Sequence, residues 1–158
     1  MVKKMPVIIL IIAIIIMGGF MVKKYTAQGS ENNEAPGIDM ALLPGYKVKK
    51  TTGPDFNVYY VYKTIPGGKD AVAEMGIYFG EHPNTVNQEI DESRITKENV
   101  VIDGENVTWF VWTTDDSIYH REVLLRDWPN FPNKIHIFIT SKEQEEMGLL
   151  KTAAEKFQ

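Results

Sequence analysis

Two histidines and a glutamate are the side chains best placed to do chemistry in this chain. His120 lies in SIYHREVLLR and His136 in KIHIFIT, two segments that read as consecutive strands joined by a short loop. If those strands pair, both imidazoles can share a face with Glu122, two residues beyond His120. Two imidazoles and a carboxylate can ligate a metal ion or act as an acid and base. The plainer reading puts the same residues on a solvated face and turns Ile135, Ile137 and Ile139 toward the core. Cross-strand register decides between them, because a slip of one residue moves every side chain to the other face. His82, before Pro83, reads as a loop residue.

Other constellations exclude more than they suggest. No G-x-S-x-G elbow occurs, so the serines and histidines do not make a hydrolase signature. Gly67-Gly68 follows Pro66 within a hairpin connection and opens no helix, unlike a phosphate loop. Asp103, Asp115 and Asp116 stand at expected turns and lack the spaced oxygen ligands of a calcium loop. Asn106-Val107-Thr108 matches a glycosylation acceptor, but inside a strand. The chain has no cysteine, which removes disulfides, thiolate metal sites and cysteine nucleophiles together. No cofactor is predicted, and the residues name no reaction.

Aromatic rings are the remaining signal. Tyr59, Tyr60, Tyr62, Tyr78, Phe79, Trp109, Phe110 and Trp112 fall in strand-like segments. Trp109 stands opposite Phe110 and Trp112 along its strand, so both faces carry large rings. That pattern suits a central strand covered on both sides, or an aromatic surface for a partner. In the loop Trp128–Asn133 (WPNFPN), two prolines would hold Trp128 and Phe131 in a stiff geometry suited to contact. These two are the predicted binding residues.

Charge narrows the partner. All 21 acidic residues follow residue 30, with only 13 of the 17 basic ones, so that part carries a formal −8. Such a surface disfavours nucleic acid and anionic lipid as partners of the domain.

The elements that would position these groups begin with a membrane segment. Met5–Val22 (MPVIILIIAIIIMGGFMV) holds no charge, and lysine pairs at 3–4 and 23–24 close it. As a helix it would reach about 27 Å, close to the ~30 Å of a bilayer core. Its all-round apolarity disfavours a soluble core helix. A secretory signal is the rival reading, but the apolar run is long and Lys23-Lys24-Tyr25 replaces the small cleavage-site residues. Residues 1–24 are therefore read as an uncleaved anchor, 25–39 as a flexible tether, and 40–158 as one globular domain. The nearly balanced lysine flanks tip toward a cytoplasmic N-terminus, with the domain outside.

Within 40–158, alternation predicts strands at 46–51, 56–64, 71–80, 98–102, 106–114, 117–126 and 134–140. Lysines at 47, 49 and 50 mark the first as a protected sheet edge. A short helix is expected near Asn84 or Thr85. At the C-terminus, Ser141 is read as a helix N-cap with Gln144 as its capping-box partner. Met147, Leu150, Ala154 and Phe157 form an apolar stripe, widened by Leu149 and Ala153. The expected fold class is α+β: a mostly antiparallel sheet of about six or seven strands with a C-terminal helix on one face, after a single transmembrane helix. The expected function is that of a membrane-anchored, extracytoplasmic binding or assembly domain with a protein partner. The alternative is a small metal-dependent enzyme or ligand binder using His120, His136 and Glu122.

Overall fold

The computed structural model describes residues 34–64, 66–68, 71–85, 89–125 and 134–158. The expected anchor, the tether up to residue 33, and the loop carrying Trp128 and Phe131 lie outside the described residues. Among the described residues no helix is long and apolar enough to cross a membrane.

Seven strands form one sheet: β1 (Lys47–Thr52), β2 (Phe56–Thr64), β3 (Ala71–Gly80), β4 (Thr96–Ile102), β5 (Glu105–Thr113), β6 (Tyr119–Leu125) and β7 (Lys134–Ser141). Their spatial order is β1-β2-β3-β7-β6-β5-β4, and every adjacent pair is antiparallel. Two meanders, β1 to β3 and β4 to β7, thus join through β3 and β7. The lysine-rich β1 is an outer strand, as its composition suggests. Asp103 and Gly104 both take positive φ (48° and 78°) between β4 and β5, the conformation that a two-residue hairpin of this type requires.

The helix α1 (Gln144–Glu155) covers one face. Val61, Met75, Ile77, Ile137, Ile139 and Trp109 are at most 1 % exposed on that face. They meet Met147, Leu150, Ala153, Ala154 and Phe157 from the C-terminal segment. Each large side chain so buried contributes roughly 1.5–3 kcal/mol. Ion pairs close the margin. Arg121 donates to Glu98 at 2.6 and 3.2 Å, and Lys151 of α1 lies 3.6 Å from the same carboxylate. At the other side, Tyr46 Oη donates to Glu146 Oε2 at 2.5 Å, and Lys63 pairs with Glu146 Oε1.

Three local expectations are corrected. Ser141 ends β7 rather than capping α1. Its hydroxyl donates to the Glu143 carbonyl and accepts from the Glu143 amide, which folds the turn, while Glu143 is the N-cap residue. Leu149 is 41 % exposed and outside the apolar stripe, because the helix packs through 147, 150 and 154, and 149 points away. The short helix expected to start near Asn84 or Thr85 falls largely on residues 86–88, outside the described residues; Glu89 is in 3-10 conformation and Glu92–Arg94 forms a 3-10 turn. Finally, packing begins before residue 40. Ala35 and Ile38 are buried in the core, and Gln158 donates its backbone N–H to the Gly37 carbonyl. Gly37 has φ 77°, and a Cβ there would lie closer than 3.0 Å to Phe157 ring atoms. The folded part therefore includes the last residues of the expected tether.

Candidate functional site

The face opposite α1 carries the chemistry. Pairing registers lay it out in rows across the strands. One row reads Lys49, Tyr60, Gly76, Phe138, Glu122, Phe110 and Lys97. The next, toward the β3 start, reads Lys47, Tyr62, Glu74, Thr140, His120 and Trp112. On the other side lie Thr51, Val58, Tyr78, His136 and Leu124. Period-2 alternation along each strand puts these side chains on one face and the apolar core set on the other.

Glycines let the rings lie down. A Cβ on Gly76 would come closer than 3.0 Å to three Phe138 ring atoms, and one on Gly80 would meet the Tyr78 ring. Phe138 is then held edge-on to Tyr60 (centroids 6.3 Å) and tilted against His136 (5.5 Å). Phe56 stacks on Tyr78 at 5.7 Å. Lys97 Nζ sits 5.9 Å from the Phe110 ring centre, within cation–π range. Phe56, Tyr60, Tyr78, Phe110 and Phe138 remain half-buried rather than fully covered.

The sequence-predicted trio is only partly assembled. Glu122 and His136 do come together, with Oε2 and Nε2 3.1 Å apart, and the residues are 1 % and 3 % exposed. The plainer expectation that His136 is solvated is therefore corrected: the rings of its own face cover it. His120 does not join them. Register sets it opposite Thr140 and sets His136 opposite Leu124, so about 13 Å of strand separates the two imidazoles along the sheet. No metal could be shared over that distance. His120 stacks on Trp112 (5.2 Å, 4°), and its Nδ1 shares a hydrogen bond with Thr140 Oγ1 at 3.3 Å. Its Nε2 is buried without a hydrogen-bond partner. Burial lowers its pKa, against the opposing pull of Asp116 and Glu122, so the ring is neutral at pH 7. Among the described residues no three histidine, cysteine, aspartate or glutamate side chains converge as a metal site. Trp128 and Phe131 lie outside the described residues.

Sequence reading missed Glu74 altogether. Its half-buried carboxyl is raised in pKa by burial, with Lys49 pulling weakly the other way, and Glu74 in turn helps raise Tyr60. Among the described residues it makes no hydrogen bond and no ion pair within 4.0 Å. Glu74 borders a cavity of about 220 Å³ on the same face, shared with Val72, Ile118, Thr140 and Lys142. A larger open depression, about 930 Å³, lies where Gly37–Asp39 and Asp103–Gly104 meet the C-terminal residues Glu155–Gln158. Its charged side chains are chiefly acidic, with no aromatic or hydroxyl group set for recognition apart from the buried Phe157. The alternation in AVAEMGIYFG already puts Glu74 and Tyr78 on one face. That β7 runs beside β3 and brings Thr140 and Lys142 to Glu74 has no local signature. Compared with models of known families, with curated proteins and with solved structures, the chain matches none.

Proposed function

We propose that this chain is a membrane-anchored binding or assembly domain, held outside the cytoplasm by residues 5–22, that presents the face opposite α1 to a protein partner without catalysing a reaction. The observation that carries this reading is the half-buried ring array of Phe56, Tyr60, Tyr78, Phe110 and Phe138 on a broad sheet face that no helix among the described residues covers. Aromatic side chains of this kind dominate protein interfaces, because they bury much area for little conformational cost. The rim supports the choice of occupant. Lys47, Lys49 and Lys134 are exposed on this face, Lys97 is exposed but paired with Glu92 at 2.9 Å, and the acids within the strands, Glu74 and Glu122, are half-buried and buried. On a chain whose soluble part is formally −8, this is a local basic border. It fits a partner with an apolar centre and an acidic rim. Trp128 and Phe131, on the connection between β6 and β7, are proposed to extend the same contact.

Site-specific photo-crosslinking in native membranes tests the reading. A benzophenone amino acid at Tyr60 or Phe110 should give one discrete heterologous adduct, and the same probe at Leu149 on α1 should not. Lys47→Glu with Lys49→Glu should suppress that adduct. An equal yield from Leu149, or no adduct from the face positions, would refute the proposal.

A further inference from the structure

The cavity beside Glu74 is bordered by side chains from two short rows, with His120 behind Thr140 rather than in its wall. Glu74, Thr140 and His120 are aligned across β3, β7 and β6. Val72, Lys142 and Ile118 continue the registers one step further, and the Lys142 amide donates to the Val72 carbonyl at 3.1 Å. Strand spacing of about 4.8 Å puts Glu74, Thr140, Val72, Lys142 and Ile118, all of which line the cavity, within reach of one small molecule. Glu74 and Lys142 are diagonal neighbours on this patch, with backbones roughly 7–8 Å apart. Opposite charges so placed ordinarily close into a salt bridge. Here they do not: among the described residues no ion pair within 4.0 Å joins them or links either to another residue, and Lys49 acts on Glu74, and Asp116 on Lys142, only from farther away. Both instead border the about 220 Å³ cavity. Between them stands the Thr140 hydroxyl, oriented from behind by His120 Nδ1. Val72 and Ile118 supply apolar wall.

We propose that this cavity binds a small zwitterion of the amino-carboxylic acid class, with its ammonium against Glu74, its carboxylate against Lys142 and Thr140 bridging them. Each protein charge gains the counter-charge that its neighbour does not provide. A half-buried carboxylate gains most, because its lost hydration is replaced by a charge-assisted hydrogen bond. A purely cationic ligand would be repelled by Lys142, and a purely anionic one by Glu74. The volume lies below the ~300–1,000 Å³ of drug-sized pockets, which restricts the guest to a few carbons beyond its two charged groups. This site is independent of the protein partner proposed above.

The test uses the full chain in detergent micelles, titrated calorimetrically with glycine, L-alanine and 3-aminopropanoate at pH 7. At least one should bind saturably at one site. L-Alaninamide, lacking the carboxylate, and propionate, lacking the ammonium, should bind at least tenfold more weakly than L-alanine. Glu74→Gln and Lys142→Met should each weaken zwitterion binding by about tenfold or more, the loss expected for one charged hydrogen bond. Thr140→Val should weaken it less. Urea midpoints of the variants separate lost binding from lost folding, and Glu74→Gln should unfold no earlier than the parent. The absence of saturable binding to all three zwitterions would overturn the proposal. So would equal affinity for alaninamide or propionate, or binding indifferent to both charge variants.

Discussion

Gly76→Ala adds one methyl group beneath the Phe138 ring, and its cost follows from the geometry. The new carbon would lie closer than 3.0 Å to three ring atoms, so the ring must lift or the strands must part. The ring is confined by Tyr60 on one side and His136 on the other, and its backbone is paired on both edges, to β3 and β6. Overpacking of this kind costs typically 1–3 kcal/mol. Replacing glycine in a strand offsets about 0.5–1 kcal/mol of that through the unfolded chain. The expected net loss is about 1–2 kcal/mol, read as a lower urea midpoint at unchanged slope. The same substitution in a Phe138→Ala background should cost nothing or should stabilise, because the obstructing ring is gone. The difference between the two backgrounds is the coupling energy of ring and glycine. A neutral or stabilising Gly76→Ala in the parent chain, or equal effects in both backgrounds, would refute the claim that glycine seats the ring.

Four further outcomes are expected. Glu98 and Glu146 are lowered in pKa, chiefly by hydrogen bonds from Arg121 and Lys63 respectively. Their contribution is therefore present above the unfolded value of about 4.3 and lost as pH falls through the lower folded values; Glu98→Gln should flatten this acid limb by ~1 kcal/mol or less at so exposed a pair. Glu74 has the opposite sign: its raised pKa means that ionisation costs stability as pH rises from about 4.3 through the folded value. Glu74→Gln should thus raise the urea midpoint above the parent's at pH 7, and by less at pH 3. Tyr46→Phe removes the hydrogen bond to Glu146 and should cost roughly 0.5–1.5 kcal/mol, measured by the same unfolding curves. Because the chain has no cysteine, Leu149→Cys offers a single label site at a residue 41 % exposed. A membrane-impermeant maleimide should label it in intact cells, and labelling only after lysis would overturn the proposed orientation.

Much of the sheet was legible because its signals are local. FNVYYVYKT and KIHIFIT alternate with period two, and Asp103-Gly104 supplies the positive φ pair its hairpin needs. The C-terminal stripe at Met147, Leu150 and Ala154 faces the core as its spacing requires. What failed was long-range or depended on one residue of phase. Ser141 resembles a cap because its hydroxyl does bond a nearby amide, yet it does so as the last residue of a strand. His120 and His136 lie on adjacent strands as expected, but register separates them and joins only Glu122 to His136. Glu74 had no local mark at all, since its significance comes from β7 lying beside β3.

The seat of Phe157 on Gly37 has a mechanical consequence. The two ends of the folded chain are fastened to each other there, by a ring resting on a glycine and by the Gln158–Gly37 hydrogen bond. A pull applied at Glu34 by a membrane-borne tether would load this clasp before it loaded any strand. The clasp would act as a strain relief, yielding first and lengthening the tether before the load reached β1.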